Sequence, residues 1–84
     1  MRHFASPSFW KGRSKLPKNI QALADQKFAL LKINPHHPSL HLKKAAKYWS
    51  VRVGIKHRAL AVEIGSDLLW FWIGTHAEYD DLLK

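Results

Sequence analysis

Apolar residues recur at helical spacing in the first half of the chain and at alternate positions in the second half. After Pro17, apolar residues follow the three/four spacing of one helix face, with polar residues opposite. These apolar residues are Ile20, Leu23, Ala24, Phe28 and Leu31. Asn34-Pro35 ends this predicted helix, because the residue before a proline is biased away from the helical conformation.

The N-terminal segment predicts a strand and a shorter helix. Residues 2–5 fit a short first strand. Ser6 followed by Pro7 fits an N-cap with proline at the first helical position, and the helix should run to about Lys15. Only a couple of residues separate the two helices, so they should pack as a helical hairpin.

From Tyr48 onward the hydrophobic period changes to two, which predicts a meander of antiparallel strands separated by glycine turns. The three strands are residues 48–53, 58–64 and 68–73. Residues 40–44, after a loop with two prolines, fit a short strand or an extended arm. Trp70 and Trp72 are expected on one face of the third strand, where core filling is favoured over a stacking platform for bases.

The C-terminal segment carries a helix-start signal. Thr75 followed by Glu78 fits a capping box, which predicts a short helix from His76 to about Leu83. His76 and Tyr79 are three residues apart and should share one helix face. The plan is a single α+β domain over residues 1–84: a short strand and a helical hairpin packed on an antiparallel meander, then a short helix.

The charge distribution is strongly asymmetric. Every Lys and Arg except Lys84 lies in the first 62 residues, where Asp25 is the single acid, and the net charge is +8. Such a chain should attract a polyanion and should need an acidic protein partner if it is to be held inactive. The alternative is a generically basic soluble protein. The longest apolar stretch, residues 68–74, is too short to span a membrane, and no secretory signal is evident, so a soluble cytoplasmic protein is expected.

Two arginines flank the predicted turn between the first two strands of the meander. If the turn closes with three residues, Arg52 and Arg58 lie opposite each other on one face, whereas a turn of two or four places them on opposite faces. The alternative to a binding role is two solvated surface arginines. Other basic residues could complete a surface that follows a phosphate backbone. They are Lys43, Lys44, Lys47, Lys56, His41 and His57.

His76 is the second candidate, because an imidazole at a strand-to-helix junction can exchange protons near neutral pH. Tyr79, one turn on, adds a phenol, although both residues also fit purely structural roles. The chain has no cysteine and no His-x-x-x-His spacing, so neither a metal nor a cofactor is expected. A nuclease without metal would act on RNA, since the 2′-hydroxyl supplies an internal nucleophile.

The order and spacing of several motifs resemble the RelE/ParE superfamily of toxins from bacterial type II toxin–antitoxin pairs. These motifs are Ser6-Pro7-Ser8-Phe9, Leu16-Pro17-Lys18, the loop from Asn34-Pro35 to Pro38-Ser39-Leu40, Trp49-Ser50-Val51-Arg52-Val53-Gly54, Arg58-Ala59-Leu60 and Ile73-Gly74-Thr75-His76-Ala77-Glu78-Tyr79. The resemblance implies a compact α+β fold and an antitoxin, often acidic, that wraps and neutralises the toxin. RelE-like members cleave mRNA in the ribosomal decoding site without metal, whereas ParE-like members poison DNA gyrase.

The resemblance favours the ribonuclease branch. Arg58 matches the strand arginine of the family, Arg52 matches a frequent basic position, and His76 and Tyr79 occupy the C-terminal catalytic region. It implies a ribosome-dependent mRNA endonuclease whose partners are the ribosome, mRNA and a cognate acidic antitoxin in a possible hetero-oligomer. His57 departs from the pattern, because a tyrosine often precedes the strand arginine, and the turn is one residue longer. A gyrase poison and an inactive RNA- or ribosome-binding module are the alternatives.

Overall fold

The computed structural model describes all residues from 1 to 84 and contains one five-stranded sheet, three α-helices and one 3-10 turn. The elements are β1 (His3–Ala5), α1 (Pro7–Ser14), α2 (Lys18–Ile33), the 3-10 turn (Pro38–Leu40), β2 (Lys43–Ala45), β3 (Tyr48–Val53), β4 (His57–Ile64), β5 (Asp67–Thr75) and α3 (His76–Leu82). The predicted α+β class and element order are confirmed. None of the helices is both long and apolar enough to cross a membrane.

The sheet joins the two ends of the chain. Its strand order is β1-β5-β4-β3-β2. Strands β3, β4 and β5 form the predicted antiparallel meander, and β2 adds antiparallel to β3. Strand β1 pairs parallel with β5, with His3 opposite Leu68 and Ala5 opposite Trp70. The first residues of the chain therefore lie beside its last strand.

Capping side chains define the starts of α1 and α3. Ser6 Oγ accepts a hydrogen bond from the Phe9 N–H at 3.4 Å, as the Ser-Pro pattern predicts. At α3, Thr75 Oγ1 accepts from the Glu78 N–H at 3.2 Å, and Glu78 Oε1 accepts from the Thr75 N–H at 2.9 Å. The capping box is thus confirmed, and it fixes where β5 ends and α3 begins.

The hydrophobic core lies between one face of the sheet and helices α1 and α2. It is built from Phe9, Ala24, Leu31, Leu40, Val51, Val53, Ala59, Ala61, Leu68, Trp70 and Ile73. Since side chains alternate along a strand, the residues between these core positions lie on the opposite face. We call this opposite face, which carries Ser50, Arg52, Arg58, Leu60 and Trp72, the open face, because it is not covered by α1 and α2; Ser50 and Leu60 on it are nevertheless fully buried.

A β-bulge in β5 separates the two tryptophans that the alternation places together. Leu60 pairs with Trp72 while Ala61 pairs with Trp70, so Phe71 is an extra residue without a partner on β4. Trp70 is buried in the core, and Trp72 follows Leu60 onto the open face. The expectation of a shared face is wrong, because the bulge shifts the alternation by one residue.

Candidate functional site

The turn between β3 and β4 decides where the two strand arginines lie. It contains Gly54, Ile55 and Lys56, since Val53 pairs with His57. Arg52 therefore stands directly opposite Arg58 on the open face. Of the turn lengths that the sequence left open, the three-residue closure is the one observed. Gly54 makes it possible with a backbone φ of 69°, which glycine adopts without a steric penalty.

The two guanidinium groups diverge from this shared position. Like charges directly across a sheet repel each other, so their side chains need separate surroundings. Arg52 Nε donates to the Gly54 carbonyl at 3.0 Å, and its Nη1 lies 3.4 Å from His41 Nε2. Arg58 turns the other way, with its Cζ 5.2 Å from the centroid of the Tyr79 ring. The pair thus spans the open face from the 3-10 turn to α3.

Arg58 is one of three residues, with Ser50 and His57, that have buried side-chain atoms without a hydrogen-bond partner. Its Nε and Nη1 atoms are buried from solvent and have no hydrogen-bond partner. A guanidinium is charged at all accessible pH values, and a buried charged donor without a partner is costly. Such an arrangement is stabilised when an anion supplies the missing acceptors. The geometry at Arg58 therefore suits a phosphate or a carboxylate ligand.

Helix α3 places two further candidates beside Arg58. The His76 N–H donates to the Lys56 carbonyl at 2.7 Å, which ties the start of α3 to the β3–β4 turn. Tyr79 is buried against Arg58, and none of the side-chain hydrogen bonds within the chain includes its hydroxyl. The His76 ring centroid lies 5.7 Å from that of Tyr79. Arg52, Arg58, Tyr79 and His76 therefore form a row, in which strand pairing joins Arg52 to Arg58 and side-chain contacts join Arg58, Tyr79 and His76.

His76 is oriented by a carboxylate on its own helix. Its Nδ1 lies 3.1 Å from Asp80 Oδ2, one helical turn away. A carboxylate only accepts, so this bond requires the ring proton on Nδ1. The other ring nitrogen, Nε2, is then the one that can take up or release a proton. Both side chains are about half exposed, so the bond orients the ring rather than stabilising the fold.

The other predicted basic residues divide between the two faces of the sheet. Lys43 pairs with Ser50 and so lies on the open face, one row from the arginines, or about 7 Å along the strand. Lys47 sits over the Tyr48 ring, with 5.5 Å from Nζ to the centroid. Lys56 is exposed in the turn. His41 lies beside Arg52, as described above.

Lys44 and His57 lie away from the open face, contrary to the single basic cluster that the sequence predicts. Lys44 alternates with Lys43, and its Nζ forms an ion pair with Glu63 at 3.5 Å. His57 alternates with Arg58 and lines a groove beside α1. Neighbouring residues on a strand point to opposite faces. Lys44 therefore cannot share a surface with Lys43, and His57 cannot share one with Arg58.

Most of the acids are engaged elsewhere, so Arg52 and Arg58 have no acidic partner. The indole of Trp49 donates to Glu63 and lowers the pKa of that carboxyl, with a further contribution from Lys44. Hydrogen bonds likewise lower the carboxyl pKa values of Asp25 (from Arg13), Asp67 (from Arg2) and Glu78 (from Thr75). No group of three His, Asp or Glu side chains is arranged to hold a metal ion.

Two polar residues near Arg52 were not identified from the sequence. Lys27 of α2 and Ser39 of the 3-10 turn lie on the same groove as His41 and Arg52. In the sequence, Lys27 is one of the polar residues of an amphipathic helix, and Ser39 is a loop residue. Their proximity depends on the packing of the 3-10 turn against α2, which no local pattern reports.

Comparison with known proteins identifies the fold. No protein-family model and no curated protein sequence matches the chain. Among solved structures, a YoeB/ParE toxin from Agrobacterium tumefaciens matches with a TM-score of 0.68 and 19% identity over 90% of this chain and 99% of its own. A structure of the RelB–RelE antitoxin–toxin complex from Methanococcus jannaschii matches with a TM-score of 0.69 and 17% identity. The match covers 96% of this chain and 99% of the matched chain.

A third structure, YafQ from Escherichia coli strain BL21(DE3), has a TM-score of 0.68 and 18% identity over 94% of this chain and 98% of its own. These proteins are all small toxins, and each matches along nearly its whole length. The chain therefore has the fold of the RelE/ParE toxin superfamily. The resemblance seen in the sequence motifs is confirmed at the level of the fold.

Proposed function

We propose that this protein is the toxin of a type II toxin–antitoxin pair and that it cleaves mRNA on the ribosome. The fold, the basic charge and the row of Arg52, Arg58, Tyr79 and His76 support this function. The substrate is a single-stranded RNA segment bound across the open face. The cognate partner is an acidic antitoxin. A solved neighbour in complex with its antitoxin supports such a partner.

The observation that carries the proposal is the pair of unsatisfied nitrogens on Arg58. A structural arginine normally finds acceptors within the fold, as Arg13 does with Asp25 at 2.6 and 2.7 Å. Arg58 instead stacks on Tyr79 and has no acidic partner. Since both nitrogens are shielded from solvent, the side chain must turn outward for the scissile phosphate to supply the missing acceptors. An arginine fork matches the geometry of two phosphate oxygens.

The chemistry follows from the four residues in that row. A base removes the proton of the 2′-hydroxyl, and the 2′-oxygen attacks the adjacent phosphorus. The bond from phosphorus to the 5′-oxygen breaks, and an acid delivers a proton to that oxygen. The products are a 2′,3′-cyclic phosphate and a 5′-hydroxyl. His76 and Tyr79 are the proton carriers, and Arg58 with Arg52 stabilises the charge that builds on the phosphorus oxygens.

The test compares two arginine variants of equal charge change. Arg58→Gln and Arg2→Gln are each induced briefly, and primer extension maps cuts in translated mRNA. Wild type and Arg2→Gln should give discrete cuts and arrest growth, whereas Arg58→Gln should give neither. Arg2 is a suitable control because its exposed side chain pairs with Asp67, away from the open face.

Three results would overturn the assignment. If Arg58→Gln cleaves mRNA as wild type does, Arg58 is not part of the catalytic site. DNA damage with intact translation would indicate a gyrase poison. Salt-dependent RNA binding by the purified wild type, without cleavage of ribosome-bound mRNA, would indicate a binding module alone.

A further inference from the structure

A groove beside the arginine pair gathers polar side chains from three separate elements. It runs between α2, the 3-10 turn and the end of β3. Strand β2 pairs only as far as Ser50, so the remainder of β3 faces the 3-10 turn. The residues that line the groove are Leu23, Lys27, Ser39, His41, Arg52, Gly54 and Ile55. None of them is acidic.

A hydrogen-bond chain fixes the ammonium group of Lys27 in this groove. Lys27 Nζ donates to Ser39 Oγ at 3.0 Å, and Ser39 Oγ lies 2.9 Å from His37 Nδ1. His37 Nδ1 also accepts from the Ser39 N–H at 3.2 Å, so it carries no proton and accepts from the hydroxyl as well. Lysine has three N–H donors. One is used here, and two remain for a ligand.

The 3-10 turn that presents Ser39 and His41 is anchored by the residue between them. Leu40 is completely buried in the core. His41 adopts a left-handed conformation with φ of 47°, which is uncommon for a residue other than glycine. Its imidazole Nε2 lies 3.4 Å from Arg52 Nη1. Strained residues of this kind persist where the surrounding structure holds them, and they concentrate at ligand sites.

The close approach of His41 to Arg52 brings two basic groups together. Their nitrogens are 3.4 Å apart, and the ammonium of Lys27 lines the same groove. A guanidinium only donates, so His41 Nε2 is the acceptor of this bond, and Lys27 and Arg52 are two cations that line the groove without an acid. An anion between these two cations would remove their mutual repulsion and accept hydrogen bonds from both.

We propose that this groove is a second phosphate site, which binds the RNA backbone next to the phosphate held at Arg58. The inference rests on the proposed ribonuclease function. Arg52 and Arg58 stand opposite each other, with Cα atoms about 5 Å apart, and their guanidinium groups diverge. They can therefore hold neighbouring phosphates of one strand. Lys27, Ser39 and His41 complete the second site, and Ser39 acts by positioning Lys27.

The experiment measures binding of a 2′-O-methyl RNA oligonucleotide, which cannot be cleaved by 2′-hydroxyl attack. Fluorescence anisotropy over a range of salt concentrations gives the slope of log K against log salt. Each phosphate contact on a single strand contributes about 0.7 to that slope. Lys27→Gln should lower the slope by about 0.7. Lys18→Gln, an equal charge change at the exposed start of α2, should leave it unchanged.

Ser39→Ala is a second variant, which retains the charge of Lys27 and removes the hydroxyl that positions its ammonium group. It should weaken binding several-fold while the salt slope stays close to that of wild type. Thermal unfolding of each variant shows that the fold is retained. If Lys27→Gln and Lys18→Gln give the same slope, the second phosphate site is wrong.

The same binding measurement with polyglutamate in place of RNA tests whether the groove binds an acidic protein segment rather than nucleic acid. An equal loss of polyglutamate and RNA binding in Lys27→Gln would assign the groove to an acidic protein and overturn the proposal. Failure of this site is distinct from failure of the proposed function. In the first case wild type and Lys27→Gln bind alike and mRNA is still cut in an Arg58-dependent manner. In the second, wild type itself cuts no mRNA.

Discussion

The guanidinium of Arg58 lies over the ring of Tyr79, with 5.2 Å between Cζ and the ring centroid. A cation over an aromatic face contributes about 0.5–2 kcal/mol, more where water is excluded. The contact joins a residue of β4 to one of α3. Tyr79 therefore has two separable features, a ring that positions Arg58 and a hydroxyl that makes no internal hydrogen bond.

The first prediction separates these two features. Tyr79→Phe keeps the ring and should leave the free energy of unfolding within about 1 kcal/mol of wild type, because no internal hydrogen bond is lost. Tyr79→Ala removes a buried ring and should cost about 3–5 kcal/mol. Urea denaturation measures both. Cleavage of ribosome-bound mRNA by Tyr79→Phe should fall about 100-fold if the hydroxyl transfers a proton. Undiminished cleavage would leave that role to His76.

The second prediction concerns His76 and the carboxylate that orients it. His76→Ala should reduce mRNA cleavage about 100-fold or more, since a positioned acid or base contributes at least that much. Asp80→Asn should have a smaller effect, because the amide oxygen can still accept from Nδ1. Single-turnover cleavage by the purified proteins measures both. Equal rates for wild type and His76→Ala would exclude His76 from the chemistry.

The third prediction follows from the buried histidine of β1. His3 Nδ1 accepts from the Trp70 indole at 3.1 Å. Burial lowers the pKa of His3 below its ordinary value of 6.5, with smaller contributions from the amino terminus and Lys32, while Asp67 acts in the opposite direction. Between the lowered value and 6.5 the unfolded chain binds more protons than the folded chain.

Stability from this histidine is therefore complete above about pH 6.5 and is lost as the pH falls toward the lowered value. His3→Asn keeps an acceptor near the Nδ1 position and removes the titration. Melting temperatures between pH 5 and pH 8 should decline less steeply for this variant than for wild type. The remaining histidines are common to both proteins, so the difference isolates His3. Parallel pH profiles would contradict the assignment.

The fourth prediction compares two turn glycines with similar backbones. Gly54 and Gly65 have φ of 69° and 62°. A Cβ at Gly65 meets no atom within 4 Å, whereas one at Gly54 would lie 2.8 Å from Leu23 Cδ2. Gly65→Ala should cost about 1–2 kcal/mol from the left-handed backbone alone. Gly54→Ala should cost more, because Leu23 must also move.

The same substitution should disturb the arginine pair. Arg52 Nε is held by the Gly54 carbonyl, so a shift of the turn moves the guanidinium. Gly54→Ala should weaken RNA binding, and Gly65→Ala, at the opposite end of β4, should not. Equal stability and equal RNA affinity of the two variants would show that the turn tolerates a side chain at either position.

Local signals predicted the elements of this fold well. The Ser6-Pro7 cap, the capping box of Thr75 and Glu78, and the change from helical to alternating spacing each depend on residues close in sequence. The structure confirms all of them. The opposed arginines depend on the length of the turn, which the sequence left between two, three and four residues. The register settles it at three.

Other features depended on packing and could not be predicted locally. The bulge at Phe71 reverses the alternation of β5, and nothing in the apolar run of residues 68–73 marks its position. Lys43 and Lys44 were predicted to belong to one basic cluster. Because residues 43–45 form a strand, these two side chains point to opposite faces of the sheet. The approach of Lys27 to Ser39 requires α2 and the 3-10 turn to be packed, which is a tertiary event.

The pairing of β1 with β5 has a consequence for synthesis. Residues 3–5 find their strand partner only in residues 68–70, and the buried His3 finds its donor only in Trp70. Because chains emerge from the N-terminal end, this edge of the sheet stays unformed until residues 68–70 have left the exit tunnel. While β2, β3 and β4 emerge from the ribosome, β1 therefore remains without a strand partner.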